Sequence, residues 1–315
     1  MGNSSVSEFL LLAFADTREL QLLHFGLFLG IYLAALLGNG LILTAVACDH
    51  RLHTPMYFFL LNLAILDLGC ISTTLPKAMA NILWDTTAIS YEGCAAQVFF
   101  LVFLVGCYLL AVMAYDRFIA ICNPLLYPVI MSRRFCVLLV CMSYFMSCVN
   151  ATIQTLFIFH LSFCNSIIDH FFCDVPPILK LSCSDTYITD LVHFTCATVL
   201  IISTILLILI SYICIGVTIY KLKSAKGRCK AFSTCASHLT VVAIFYGTGS
   251  FMYLRPSSKY SMEYDKIISV FYTLAIPMLN PVIYSLRNKE VKEALRRTVT
   301  SLYCSLQDFP FINPC

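Results

Sequence analysis

The stretch HFTCATVLIISTILLILISYICIGVTIY, residues 193–220, contains no Asp, Glu, Lys or Arg. A helix needs about 20 predominantly apolar residues to cross a hydrocarbon core of roughly 30 Å, and this run exceeds that length. Six further apolar runs of spanning length stand at 25–48, 57–83, 95–122, 136–160, 231–254 and 267–286. Ten-residue segments of alternating polarity, the mark of a transmembrane barrel strand, are missing. The pattern predicts an all-α membrane protein, a bundle of seven transmembrane helices.

Composition agrees. Of 315 residues, 60% are hydrophobic and 12% charged, against about 45–50% and 25% in an average soluble domain. With a mean hydropathy of +0.85, the chain is too apolar for a cytosolic enzyme, a disordered segment or a nucleic-acid binder working through a basic face. The net charge of +3 becomes informative only once the charges are placed. No Lys or Arg precedes Arg18, so the basic start of a cleaved signal peptide is missing and the first run reads as an uncleaved anchor. Placing the N-terminus outside puts fourteen of the twenty Lys and Arg residues on the cytoplasmic side, in clusters such as Arg133-Arg134, Lys221–Lys230 and Arg287–Arg297. Basic residues are retained in the cytoplasm, so the expected topology is N-terminus outside and C-terminus cytoplasmic. The domain reading is an extracellular tail over 1–24, the seven-helix bundle over 25–286, and a cytoplasmic amphipathic helix and tail over 287–315.

Asn3-Ser4-Ser5 is a glycosylation sequon in the outer tail, whereas Asn150-Ala151-Thr152 falls inside the fourth span. Four of the 17 cysteines, Cys94, Cys164, Cys173 and Cys183, fall on the oxidising outer side. They allow two disulfides in three pairings. Cys304 is a candidate for palmitoylation. Most loops are short, but 161–192 carries three of those cysteines, Pro176-Pro177 and four Asp residues, and is expected to form a stapled lid. KEVKEALRRTV (289–299) pairs Lys and Glu at helical spacing and reads as a helix lying on the membrane surface.

Polar residues inside spans carry most of the remaining information, because a central Asp costs about 2.5–3.5 kcal/mol on insertion scales. Asp67 is the carboxylate near a helix midpoint, with Asn39 and Asn280 at a similar depth. One reading is an inter-helix hydrogen-bond network, the other a sodium or proton site. Asp116-Arg117 sits at the inner end of the third span.

Gly38-Asn39, LNLAILDL (61–68), MAYDRFIAIC (113–122) and NPVIY (280–284) resemble class A, rhodopsin-like G-protein-coupled receptors. Within that class, HTPMYFFL (53–60), MAYDRFIAICNPLLYP (113–128), KAFSTCASHL (230–239) and PMLNPVIYSLRNKEV (277–291) resemble olfactory receptors, and the N-terminal region resembles their class II, tetrapod-type branch. The resemblance covers nearly the whole chain. It implies disulfides Cys94–Cys173 and Cys164–Cys183. It also implies that Asp116 holds Arg117 at rest and that agonist swings the sixth helix outward, freeing Arg117 for the G protein. Tyr212 and Tyr284 match tyrosines that restack around it. Ser237 and His238, with Lys230 and Thr234, match an inner latch, and Asn280-Pro281 matches the seventh-helix motif. The implied partners are an odorant, the bilayer and a stimulatory G protein that raises cyclic AMP, in the cilia of olfactory neurons, with no cofactor. One departure stands out: Gly106 occupies a position where olfactory receptors usually carry Glu, which weakens any ion site shared with Asp67.

The residues also narrow the ligand region. Phe103 lies about 21 Å along a helix from Arg117, at 1.5 Å per residue. Phe100, Phe103, Leu104 and Cys107 share one helical face, as do Tyr246, Gly249, Ser250 and Tyr253 on the sixth span. Cys196, Leu200 and Thr273 complete the expected lining. Small residues between phenols suit a small, mostly apolar, uncharged molecule with one hydrogen-bonding group. The third span has no carboxylate from Phe99 to Cys107 to pair a buried ammonium.

A transporter or channel would favour repeated halves and charged pathways. For an intramembrane enzyme, the separation of Ser250 from His238 is about 18 Å, too far for a nucleophile–base pair. Metal binding at His170–Asp174 is disfavoured if Cys173 is in a disulfide. The nearest alternative is the same receptor architecture sensing a non-volatile metabolite outside the olfactory epithelium.

Overall fold

The computed structural model describes residues 6–15, 17–221, 224–254, 262–287, 291–294, 296–297 and 300. Asn3, Lys289 and Cys304, and the side chains of Lys230 and Thr234, lie outside the described residues. Seven stretches are helical, long and apolar enough to cross a membrane. The first is α1 (Arg18–Cys48), which begins ahead of the expected residue 25. Its charged start is tolerated because the Arg18 guanidinium donates to the end of α2 (Pro55–Leu83), at Ile82 O (2.5 Å) and Leu83 O (3.4 Å). Carbonyls left over at a helix C-terminus suit a cation.

The third span, expected as one helix, is two: α3 (Tyr91–Phe103) and α4 (Cys107–Cys122). Between them Gly106 adopts φ +74°, a left-handed conformation that costs a side-chain-bearing residue about 1–2 kcal/mol. The next elements are a short α5 (Tyr127–Ile130), then α6 (Arg133–Phe159) and a brief α7 (Val175–Leu179) in the lid. Helices α8 (Tyr187–Lys221) and α9 (Ala225–Tyr253) follow. The last span runs as α10 (Met262–Val270), a π turn (Phe271–Ala275) and α11 (Ile276–Arg287).

The π turn and α11 show how proline is accommodated. Pro277 and Pro281 lack N–H groups, so the carbonyls of Thr273 and Pro277 lose their helical donors. Asn39 Nδ2 donates to Pro277 O at 2.9 Å, and Cys70 Sγ approaches Thr273 O at 3.9 Å. Asn39 therefore braces α11 rather than bonding Asp67, and Asp67 is met by Asn280 Nδ2 at 2.8 Å. Helix α1 reaches α11 closely because of Gly38, where an added Cβ would stand 2.9 Å from Pro281 Cβ.

The N-terminal tail is not a free extension. It supplies β1 (Glu8–Leu11), the middle strand of a small sheet. β1 pairs antiparallel with β2 (Ala88–Ser90), setting Phe9 against Ile89, and parallel with β3 (Ile167–Ile168), setting Leu10 against Ile167. Phe9, fully buried, packs edge-on to Phe163 at 5.4 Å between centroids and stacks on Tyr91 at 5.9 Å. Two disulfides complete this end: Cys94–Cys173 ties the lid to α3, and Cys164–Cys183 closes the lid's base.

At the opposite end, residues 291–294 and 296–297 are helical, within the stretch expected to lie along the membrane. Arg297 pairs there with Asp49 at 2.7 Å, which holds the Asp49 carboxyl below its usual range. Asn39→Leu is expected to lower the stability of the detergent-purified protein by about 1–3 kcal/mol, because it leaves the buried Pro277 carbonyl without a donor. Thermal unfolding of the variant against wild type measures this.

Candidate ligand cavity and the Asp116-Arg117 end

Beneath the lid lies a cavity of about 110 Å³, bounded by α2, α3, α4, α6, α8, α9, the π turn, α11 and the lid residues Phe172–Val175. Its walls are chiefly apolar. Leu104, Cys107, Leu200, Tyr246, Gly249, Ser250, Tyr253 and Thr273, all expected in the lining, are on its wall. Phe100, Phe103 and Cys196 are not. Phe100 is 47% exposed on the outside of the bundle. Phe103 stacks on Tyr144 of α6 at 6.1 Å. The cause is the break at Gly106: counting back from Cys107 along a regular helix picks the wrong face of α3, which presents Val98, Leu101 and Val102 to the cavity, with Val105 beyond its end. On α8 the inward face is His193, Ala197, Leu200 and Ile201, and Cys196 falls on its flank.

Sequence reasoning did not place Asp174, His193 or Gln154 in the lining. Asp174, buried, comes from the lid. Tyr253 and Tyr272 donate their hydroxyls to its two oxygens at 3.1 and 2.5 Å, and Val175 N donates at 2.8 Å, capping α7. Three donors on one carboxylate meet most of its acceptor capacity. The signal for this residue was available: a Cys173 bond to the top of α3 forces its chain neighbours over the cavity. Opposite, His193 of α8 bonds Gln154 of α6 at 2.7 Å. At the floor are Asp67 and Asn280.

The lid is latched to the last span. Lys266 forms an ion pair with Asp169. His170 Nδ1 accepts from Phe172 N at 3.4 Å, so Nε2 carries the proton it shares with Ser269 Oγ at 3.0 Å, whose own proton goes to Lys266 O. Gln97 adds a second tie, accepting from Cys173 N at 2.8 Å while donating to Thr73 O at 2.8 Å.

At the other end, Asp116 and Arg117 are both buried. Among the described residues no ion pair joins them. Asp116 instead accepts from the Tyr127 hydroxyl at 2.8 Å, and burial together with the facing carboxylate holds that phenol well above its usual range, so it stays a donor. Asp116 thus anchors the α4–α6 loop. Nearby, His238 Nε2 donates to Leu110 O at 3.1 Å, which leaves Nδ1 to accept from Tyr212 OH at 2.8 Å. One imidazole so links α4, α8 and α9. Ser237 Oγ donates to Ile283 O at 3.2 Å, joining α9 to α11. Tyr284 OH is buried without a partner among the described residues.

A family model described as olfactory receptor matches residues 28–301. The chain belongs to the olfactory receptor family. It is 52% identical over 299 residues to olfactory receptor 5AP2 of Homo sapiens, spanning 94% of this chain and 95% of the relative. To olfactory receptor 5B21 of Homo sapiens it is 54% identical over 307 residues, spanning 96% and 99%. To olfactory receptor 5AP2 of Mus musculus it is 53% identical over 297 residues, spanning 93% and 94%. With seven apolar helices, this receptor is a multi-pass membrane protein and not an enzyme.

The lid latch of the receptor has a defined pH response. Burial, reinforced by the Lys266 charge, lowers the His170 pKa from 6.5 to about 3. Neutral His170 therefore stabilises the lid fully above pH 6.5, and this contribution falls away as pH drops from 6.5 toward 3, because only the released imidazole takes up a proton. Amide exchange over residues 167–175, corrected for intrinsic rates, is expected to be faster at about pH 5.5 than at about pH 7.5, and His170→Gln to flatten that difference.

Proposed function

We propose that this olfactory receptor binds a small, mostly apolar, uncharged volatile in the cavity beneath the lid. Binding is relayed to a stimulatory, olfactory-type G protein at the Arg117 end and raises cyclic AMP. In this reading the N-terminus and the lid face outside, the C-terminus is cytoplasmic, and the receptor resides in the plasma membrane of olfactory cilia. The observation that carries the reading is the cavity itself: apolar walls, a few converging polar groups, and a position between helices under a cross-linked lid. Sites for small molecules have this character.

The lid carboxylate does not turn the site toward amines. Asp174 already accepts from Tyr253, Tyr272 and Val175 N. An ammonium would have to displace them and lose its own hydration. No observation favours the alternative of a metabolite sensor outside the olfactory epithelium.

Cyclic AMP in cells expressing the receptor with the olfactory stimulatory G protein tests the reading, with surface expression quantified for every variant. Arg117→Ala is expected to abolish the response to a panel of uncharged volatiles. Gly249→Leu is expected to fold, since nothing lies within 4 Å of an added Cβ, and to raise the half-maximal concentration at least about tenfold by filling the cavity. Phe100→Ala, on the outer surface, is expected to leave the response unchanged. A response that survives Gly249→Leu and is lost with Phe100→Ala would place the site elsewhere.

A further inference from the structure

The hydrogen-bonding capacity of the cavity wall is uneven. The hydroxyl protons of its phenols and threonine are already engaged: Tyr246 donates to Cys107 O at 3.3 Å, Tyr253 and Tyr272 to Asp174, and Thr273 to Ser269 O at 2.6 Å, while the remaining wall hydroxyl, Ser250, can donate or accept. Two buried polar atoms of wall residues lack a partner among the described residues, His193 Nε2 and Asn280 Oδ1. The tautomer of His193 follows from its neighbours. Gln154 Nε2 donates to Asn150 Oδ1 at 3.0 Å, which turns Gln154 Oε1 toward His193 Nδ1 at 2.7 Å. A carbonyl oxygen accepts, so Nδ1 carries the proton and Nε2 presents a bare lone pair. Both unpartnered atoms are thus acceptors. An unmet buried acceptor disfavours an occupant that cannot donate to it.

We propose that His193 Nε2 is the recognition group for ligand and that the receptor selects hydrogen-bond donors, alcohols or phenols, over ethers, aldehydes and ketones of the same skeleton. His193 is 6% exposed, with its ring edge-on to Tyr253 at 5.8 Å. The imidazole is therefore fixed between Gln154 and the phenol, with Nε2 as its free vertex. Leu200, Val102 and Phe245 are among the apolar wall residues available to the hydrocarbon body of such a ligand. The inference rests on reading the cavity as the odorant site, and it adds the chemical class that site takes.

Matched probes test it on the full-length receptor: octanol against heptyl methyl ether and octanal, and ethylphenol against its methyl ether. Binding is read as a thermal shift of the purified receptor, which needs no G protein, and signalling as cyclic AMP. Each alcohol or phenol is expected to bind about tenfold or more tightly than its ether, the scale of leaving one buried polar group unpaired. His193→Phe is expected to weaken the alcohols, leave the ethers unchanged, and shrink the ratio to under about threefold. Gln154→Met, which releases the tautomer, is expected to improve the ethers relative to the alcohols. That variant keeps the test decisive if His193→Phe does not fold. Ethers or aldehydes binding as well as alcohols to wild type would overturn the donor preference while leaving the odorant site standing. An unchanged ratio in both variants would overturn the role of His193. If neither probe class shifts the receptor or raises cyclic AMP while surface expression is confirmed, the odorant reading itself fails, and this inference falls with it.

Discussion

Within hydrocarbon no water meets an unpaired peptide group, and each such group costs several kcal/mol, so every carbonyl and amide must find a partner inside the protein. Among the described residues the spans depart from regular helix in two places, the left-handed turn at Gly106 and the π turn at Phe271–Ala275. Both border the cavity. Irregular backbone at membrane depth is tolerated where it lines a cavity or is braced by side chains. Asn39 and Cys70 brace the proline-freed carbonyls of the last span. Tyr246 reaches the carbonyl of Cys107, directly after the glycine turn. The cavity and the departures from helix share a cause, for each interruption turns side chains that a straight helix would have packed against its neighbour.

The lid solves a related problem. A loop carrying many peptide groups over an apolar cavity needs its own hydrogen bonds, and these come from three directions. β3 joins the tail strand, Gln97 of α3 holds Cys173 N, and Tyr253 and Tyr272 hold Asp174. The buried Asp174 is tolerable because its donors are fixed on α9 and the π turn, so the carboxylate gains charge-assisted bonds where an isolated ion would not persist. The same contacts make the lid part of the cavity wall and tie its position to three spans.

How much of this was legible in the sequence divides along physical lines. The seven spans were readable because length and apolarity against a fixed bilayer thickness leave little choice. The sixth-span face Tyr246, Gly249, Ser250 and Tyr253 was readable because α9 is regular there. The faces of Phe100 and Phe103 were misread because helical spacing carries phase across a segment only while the helix is unbroken, and Gly106 resets it. The tail strand, too short for a periodic signal, was invisible, since its partners lie about 80 and 160 residues away. Gln154 and His193 were overlooked because each reads locally as an ordinary polar residue, and Asp174 stood out only as one end of a metal-like spacing. Their meaning comes from partners on other helices.

Helix α9 brings the two ends together. Tyr253 near its lid end holds Asp174, Tyr246 in its middle holds Cys107 O, and His238 toward its other end bridges Leu110 O and Tyr212. These positions are seven and eight residues apart, about two turns each, so the three ties fall on neighbouring faces of one rigid rod. Two of the four anchors, Cys107 O and Leu110 O, belong to α4, close to the glycine turn. A rod held at three depths cannot tilt at one without loading the others, so an occupant that displaces Tyr246 or Tyr253 acts directly on the bond at His238. Polar ties, unlike apolar contacts, have discrete made and broken states. On the proposed reading, that is how a small apolar ligand, too weak to deform seven helices, reaches the buried Arg117.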